Sequence, residues 1–201
     1  TLNSSTLTGG SASVAGTFAF TLPSTAPNAG TASQGVTFTP TDAANYNTAT
    51  TTVSLAVAKA TPTISVAPTA SGITFGQTLA NSTLSGGTAS TAGTFVFTTP
   101  ATAPNAGTAS QGVTFTPTDT NNFNTATTTV SVAVGKATPT ISAAPAASGI
   151  TFGQTLANST LSGGTASTAG TFAFTTPSTA PNAGAADQSV TFTPTDAANY
   201  T

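Results

Sequence analysis

Cysteine, methionine, tryptophan and histidine are all absent from this chain of 201 residues. Without cysteine the chain forms neither a disulfide framework nor a thiolate metal site. A lack of cysteine also suits an exported protein, which must avoid stray oxidation. The sequence has no initiating methionine and no leader pattern, so we expect it to be a segment of a longer protein.

Charge is nearly absent as well. Charged residues make up 3% of the chain and its net charge is −2, whereas about a quarter of an ordinary soluble domain is charged. The two lysines lie 77 positions apart and cannot form the basic patch that nucleic acids or anionic membrane surfaces require. No apolar run approaches the ~18 residues of a membrane span. We therefore predict no nucleic-acid partner and no membrane insertion in this segment.

The chain is instead rich in short runs of Val, Ile, Phe and Thr, residues that favour β-strands. Large apolar residues alternate with Thr, Ser and Ala in "GTFVFTTP", "GVTFTPT" and "TATTTVSVAV", as half-buried strands require. We predict strands at 94–98, 112–116 and 127–134. Segments rich in Pro and Gly, such as "APTASG" and "TPATAPNAG", predict turns between them. No stretch combines a helical period with a cap, so the predicted fold class is all-β.

The sequence also repeats itself. "TLNSSTLTGG" begins at Thr1, and "TLANSTLSGG" begins at Thr78 and again at Thr155, a period of 77 residues. Such a unit is long enough to bury a modest core of its own, so the chain is predicted to be a tandem array of two-sheet sandwiches with five to seven short strands each. The predicted domains are the C-terminal part of one repeat at 1–58, a complete repeat at 59–135, and a repeat lacking its last strand at 136–201. These ranges are called the first, middle and last repeat below.

Each repeat carries one aspartate followed four positions later by an aromatic residue. The pairs are Asp42 and Tyr46, Asp119 and Phe123, and Asp196 and Tyr200. An aspartate of this kind stabilises a turn by accepting a hydrogen bond from the backbone two residues on. The tyrosine resembles the tyrosine corner of immunoglobulin-like sandwiches, but phenylalanine lacks the hydroxyl, so we predict that the ring fills the core first.

The passage "FTPTDAANYNTATTTVSLAVAKATPTI", followed by "SGITFGQTLANSTLSGG", resembles the bacterial immunoglobulin-like repeats that occur in tandem in very large surface-exposed and secreted proteins, including adhesins. The resemblance covers the whole chain. It implies an extracellular or cell-surface location and a rod-like, multi-domain segment that serves spacing, adhesion or matrix formation.

Nothing in the sequence predicts an enzyme, a metal site or a cofactor. The middle repeat offers one aspartate and one lysine, while acid–base catalysis needs titratable groups gathered together. The Ser-x-x-Lys pattern of a lysine-activated nucleophile is missing, because alanine stands three residues before each lysine. One aspartate in the first and middle repeats and two in the last are also too few for the six to eight oxygen ligands of calcium.

The junction lysines, Lys59 and Lys136, stand where one repeat passes into the next. We predict solvated side chains, paired at most with the aspartate of a neighbouring turn. The alternative is an isopeptide crosslink from lysine to asparagine, which needs a lysine buried beside an asparagine and an acid.

Covalent glycans are a second alternative for the polar residues. Asn81 and Asn158 fit the N-x-Ser/Thr acceptor pattern, as do Asn3 and Asn199. The many outward-facing Thr and Ser residues are predicted to solvate the surface in place of charges. O-glycosylation of these hydroxyls is the alternative.

Two functions follow from these features. The first is a structural spacer or fibre segment, part of a stalk or filament outside a bacterial cell that continues into further repeats or associates with itself. The alternative is a binding module for glycans or host proteins. Its loops offer Ala, Thr, Pro, Asn and Gly rather than exposed aromatics or arginine, so each domain would bind weakly and rely on multivalency.

Overall fold

The computed structural model describes all residues, 1–201, and every regular element longer than three residues is a β-strand, which confirms the all-β fold class. The only helical segments are three single 3₁₀ turns, Leu2–Ser4, Leu79–Asn81 and Leu156–Asn158. The leucine that opens each turn is buried, so these turns anchor loops to the core. The chain forms no helix with the length and apolarity that crossing a membrane requires.

The chain divides into two compact units. The first comprises Thr1–Val66, Thr88–Phe95 and Thr114–Thr127, and the second comprises Ala67–Gly87, Val96–Val113 and Thr128–Thr201. The middle repeat contributes to both units, so the predicted domain boundaries stay a prediction.

The strands in chain order are β1 Gly16–Phe20, β2 Gly30–Pro40, β3 Ala49–Val57, β4 Ile64–Val66, β5 Thr69–Ala70, β6 Ile73–Thr74, β7 Leu84–Ser85, β8 Thr88–Ala89, β9 Gly93–Phe97, β10 Gly107–Pro117, β11 Ala126–Gly135, β12 Ile141–Ala143, β13 Ala146–Ala147, β14 Leu161–Ser162, β15 Thr165–Ala166, β16 Gly170–Phe174 and β17 Val190–Pro194. Strands β1, β2 and β3 form one antiparallel sheet, and a four-stranded sheet has the order β6-β11-β10-β9. The pairs β4-β8, β5-β7, β12-β15, β13-β14 and β16-β17 form two-stranded sheets.

The three segments predicted as strands correspond to β9, β10 and β11, although β10 begins earlier, at Gly107. The middle repeat contains eight strands rather than five to seven, because four of them are two-residue pieces. The valines of β11 are buried, as the alternation predicted: Val130, Val132 and Val134 are 6%, 0% and 5% exposed. In the short strand β4 the valine is not buried, since Val66 is 55% exposed.

In each repeat a glycine opens one strand at a position covered by a phenylalanine ring of the next strand. A Cβ added at Gly93 would collide with the ring of Phe115 and with the carbonyl oxygen of Thr116. Gly16 and Gly170 face Phe38 and Phe192 in the same way. The ring therefore covers the strand backbone at a position where only glycine fits.

Candidate inter-repeat interface

The aspartate of each repeat organises a short loop, called here the Asp–Asn loop (residues 42–45, 119–122 and 196–199). In the middle repeat, Asp119 Oδ1 accepts hydrogen bonds from the backbone N–H groups of Asn121 and Asn122 at 3.1 and 3.2 Å. Its Oδ2 accepts one from Asn122 Nδ2 at 2.8 Å. The carboxylate thereby holds the amide side chain of Asn122 in one orientation.

These hydrogen bonds lower the pKa of two of the aspartates, Asp42 and Asp119. The bond from the Asn122 side chain lowers the pKa of Asp119, and the backbone N–H of Asn122 lowers it further. The bond from the Asn45 side chain lowers the pKa of Asp42 in the same way. The carboxylate form is the one that holds the loop together.

The oriented Asn122 reaches into the first repeat. Its Oδ1 accepts a hydrogen bond from the backbone N–H of Ala29 at 2.7 Å, and its Nδ2 also lies 3.3 Å from Asn28 Oδ1. Ala29 belongs to a second loop, called here the PNAG loop (residues 27–30, 104–107 and 181–184). The amide of one repeat therefore binds the backbone of its neighbour 93 residues away in sequence.

The same contact occurs a second time. Asn199, which stands 77 positions after Asn122, accepts a hydrogen bond through Oδ1 from the backbone N–H of Ala106 at 2.8 Å. Asp196 accepts from Asn199 Nδ2 at 2.8 Å, and Asn199 is only 9% exposed. One arrangement of aspartate, asparagine and backbone N–H thus recurs at both junctions.

The junction segment is bonded to the Asp–Asn loop of its own repeat, the loop that makes the contact with the preceding repeat. Lys59 Nζ donates to the carbonyl oxygen of Thr120 at 2.7 Å. Ala60 donates its N–H to the Asn122 carbonyl at 2.9 Å and accepts from the Asn124 N–H at 2.8 Å. Lys136 and Ala137 make the same bonds within the last repeat, to the carbonyls of Ala197 and Asn199. Both lysines are exposed, a setting that does not suit the isopeptide alternative.

Of the three aromatic residues that follow the loop, Tyr200 packs against the preceding repeat. The ring of Tyr200 meets the ring of Phe75 edge-on, with the centroids 5.3 Å apart. Tyr46 is 49% exposed, and Phe123 is partly buried. Tyr46 lies in the exposed segment 41–50, so the role of these rings as core residues stays a prediction.

The predicted glycan acceptors differ in their accessibility. Asn81 and Asn158 are exposed, and their Oδ1 atoms accept hydrogen bonds from the N–H groups of Thr78 and Thr155. Asn3 is exposed too. Asn199 does not suit this role, since it is buried and both ends of its amide are bonded at the interface.

The predicted turn residues include the aspartates but not the asparagines and PNAG loops that form the interface. The signal for them is present: every copy has asparagine three residues after the aspartate, and "APNAG" occurs at 26–30, 103–107 and 180–184. A backbone donor leaves no side-chain pattern, so only the structure connects the two loops.

The Asp–Asn loop predicts a pH response. The folded pKa of Asp119 is lowered, so its stabilising effect is complete above the unfolded value of about 3.9 and is lost as the pH falls through the folded value. We expect the amide NMR signals of Ala29 and Asn122 to shift together in acid. The Asp119→Asn variant should lose this shift of the two signals in acid, and the Asp187→Asn variant should keep it. If the Ala29 signal did not shift down to about pH 2, protonation of Asp119 would not affect the hydrogen bond between Asn122 and Ala29.

The interface holds polypeptide segments together and brings no reactive groups into one place. No group of three or more histidine, cysteine, aspartate or glutamate residues that could hold a metal ion occurs in the chain. Comparison with protein-family models, with curated proteins and with solved structures finds no match for this chain.

Proposed function

We propose that this chain is a structural spacer or fibre segment of a long extracellular bacterial surface protein, built from immunoglobulin-like sandwich domains that repeat every 77 residues. In this role it supports adhesion or matrix formation by keeping the domains on either side of it at a fixed distance. It is not an enzyme. The extracellular location rests on the resemblance of the repeats to those of bacterial surface proteins and on the absence of cysteine.

One observation carries the proposal: Asn122 binds Ala29, and Asn199 binds Ala106 in the same way. A spacer must transmit the position of one domain to the next, and a flexible linker does not do so. Here the junction lysine and the junction alanine bond the Asp–Asn loop of their own repeat. The asparagine of that loop bonds the preceding repeat. The repeated bonds favour a fixed geometry between repeats.

Distance measurements by electron spin resonance test this directly, because the chain has no cysteine of its own. Spin labels at Ser33→Cys and Thr94→Cys, two exposed positions in the first and middle repeats, should give a narrow distance distribution. Asn122→Ala should broaden that distribution about twofold or more, since it removes the bond to Ala29.

Asn45→Ala is the matched control. Asn45 makes the same bonds within its loop, to Oδ1 and Oδ2 of Asp42, so its loss perturbs a loop of the same type away from the Ala29 contact. This variant should leave the distribution narrow. A distribution that is already broad in the unmodified chain would overturn the spacer and favour flexibly tethered binding modules.

A further inference from the structure

Two short segments, 59–61 and 120–124, are bonded to each other and form what is called here the junction latch. Ala60 and Phe123 make a parallel bridge, in which the N–H and the carbonyl of Ala60 bond the facing backbone at 2.9 and 2.8 Å. Lys59 Nζ donates to a backbone carbonyl of that segment at 2.7 Å, and a side-chain bond of 3.3 Å joins the two segments as well. The chain that enters the middle repeat is therefore held by four hydrogen bonds.

The last repeat has the same latch, formed by the segments 136–138 and 197–201. Ala137 and Tyr200 make its parallel bridge, with backbone bonds of 2.9 and 3.0 Å. Lys136 donates to a backbone carbonyl, and two threonine hydroxyl groups lie 3.2 Å apart. The only two lysines of the chain, which has no arginine, thus both lie in a latch, where the ammonium group strengthens the hydrogen bond that it donates.

The latch connects the entering chain to the strand by which the chain leaves the repeat. Strand β11 begins two residues after Asn124, and its last residue, Gly135, is followed directly by Lys136 of the next latch. Tension between the two ends of the middle repeat is therefore transmitted through the latch and along β11. Residues 62–119, which contain strands β4 to β10, lie outside this path and carry little load while the latch holds.

The direction of the bridge decides how the latch resists tension. Ala60 and Phe123 lie side by side in segments that run the same way, because their bridge is parallel. Tension draws Ala60 toward the preceding repeat and Phe123 toward the following one, so the two segments are made to slide along each other. Hydrogen bonds between paired strands lie across the strand direction, so those of the latch are strained together and not one after another. The force at which a fold opens depends on its rate of unfolding rather than on equilibrium stability, and a few exposed bonds can set that force.

We propose that the junction latch is a force-bearing contact, which transmits tension from one repeat to the next and protects the rest of each sandwich until a threshold force is reached. When the latch opens, the chain between the latch and β6 is drawn out first. β6 then resists in the same way, because it pairs in parallel with β11 and the Phe75 N–H is bonded to the Gly135 carbonyl at 2.8 Å. The latch lies within one repeat, so this load-bearing role stands or fails separately from the spacer, which depends on contacts between repeats.

Optical tweezers on the whole chain test the latch, since a chain without cysteine takes DNA handles only at cysteines that are introduced. Handles at Ala58→Cys and Gly135→Cys load the latch. We expect a first extension of at most about 40 Å, because residues 62–72 span roughly 3.5 Å each, and then a larger one. Handles at Thr74→Cys and Gly135→Cys, which face each other across the β6–β11 pair, bypass the latch and should give no such first step.

Two substitutions in the latch, with a matched control, complete the test. Ala60→Pro removes a backbone donor of the bridge and should lower the force of the first step about twofold or more, whereas Ala60→Ser keeps the N–H and should retain that force. Lys59→Met, at an exposed side chain, removes one bond and should lower the force by less.

The second pair of handles separates a loss of load bearing from a general loss of stability. With handles at residues 74 and 135, Ala60→Pro should leave the unfolding force unchanged, because the latch is not in that path. A single opening event with handles at residues 58 and 135, equal forces for Ala60→Pro and Ala60→Ser, or an equal effect of Ala60→Pro in both handle geometries would each overturn the proposal.

Discussion

Replacement of Phe97 by alanine is expected to cost about 3–5 kcal/mol of unfolding free energy. The ring is 7% exposed, and its removal leaves a cavity that strand backbones cannot close. A loss of this size approaches the total stability of a small domain. Urea unfolding followed by circular dichroism near 218 nm measures it.

Val96→Ala is the control for this variant, because Val96 lies on the same strand and is 52% exposed. It should change the unfolding free energy by less than about 0.5 kcal/mol. A cost below about 1 kcal/mol for Phe97→Ala would contradict the burial of the ring.

Replacement of Gly93 by alanine should have the second large effect, about 3 kcal/mol. The new methyl group would overlap the backbone carbonyl of Thr116 as well as the ring of Phe115. A ring can rotate away, but a carbonyl within a paired strand moves only with its strand, and such overpacking typically costs about 1–3 kcal/mol or more. The melting temperature of the purified variant reports this cost.

Gly149→Ala is the matched control for the added methyl group. A Cβ at Gly149 has no atom within 4 Å, and the backbone there is not in the left-handed region. Its melting temperature should equal that of the unmodified chain. If Gly93→Ala melted at that same temperature, the close approach between Gly93 and Thr116 would be refuted.

The long strands could be predicted from the sequence because a half-buried strand alternates large apolar with small polar residues. Strand β11 shows this most clearly, with Val130, Val132 and Val134 buried. The two-residue strands β5 to β8 carry no such signal, since a period of two cannot be read from two residues. The first half of β10, "GTASQG", lacks large apolar residues and is a strand beside β11. The similar segment "GAADQS" at 184–189 forms no strand.

Only one side of the candidate interface, the aspartate turn, could be predicted from the sequence. The turn role of aspartate follows from its chemistry, and Asp119 makes the bond to the backbone two residues on. The target of Asn122 could not be predicted, because Ala29 contributes only its backbone N–H. The surroundings of Tyr200 could not be predicted for a related reason. Its ring packs against Phe75 of the preceding repeat, and no pattern within one repeat indicates that contact.

That backbone donor has a consequence for any change in the number of repeat copies. An alanine N–H is present whatever side chain stands beside it, so the contact does not require two neighbouring copies to be matched in sequence. If one whole copy were deleted or duplicated, an Asp–Asn loop would again face a PNAG loop, and the bonds of Asn122 and Asn199 would have the same partners at the new junction. A change by whole copies would then keep the hydrogen bonds between neighbours.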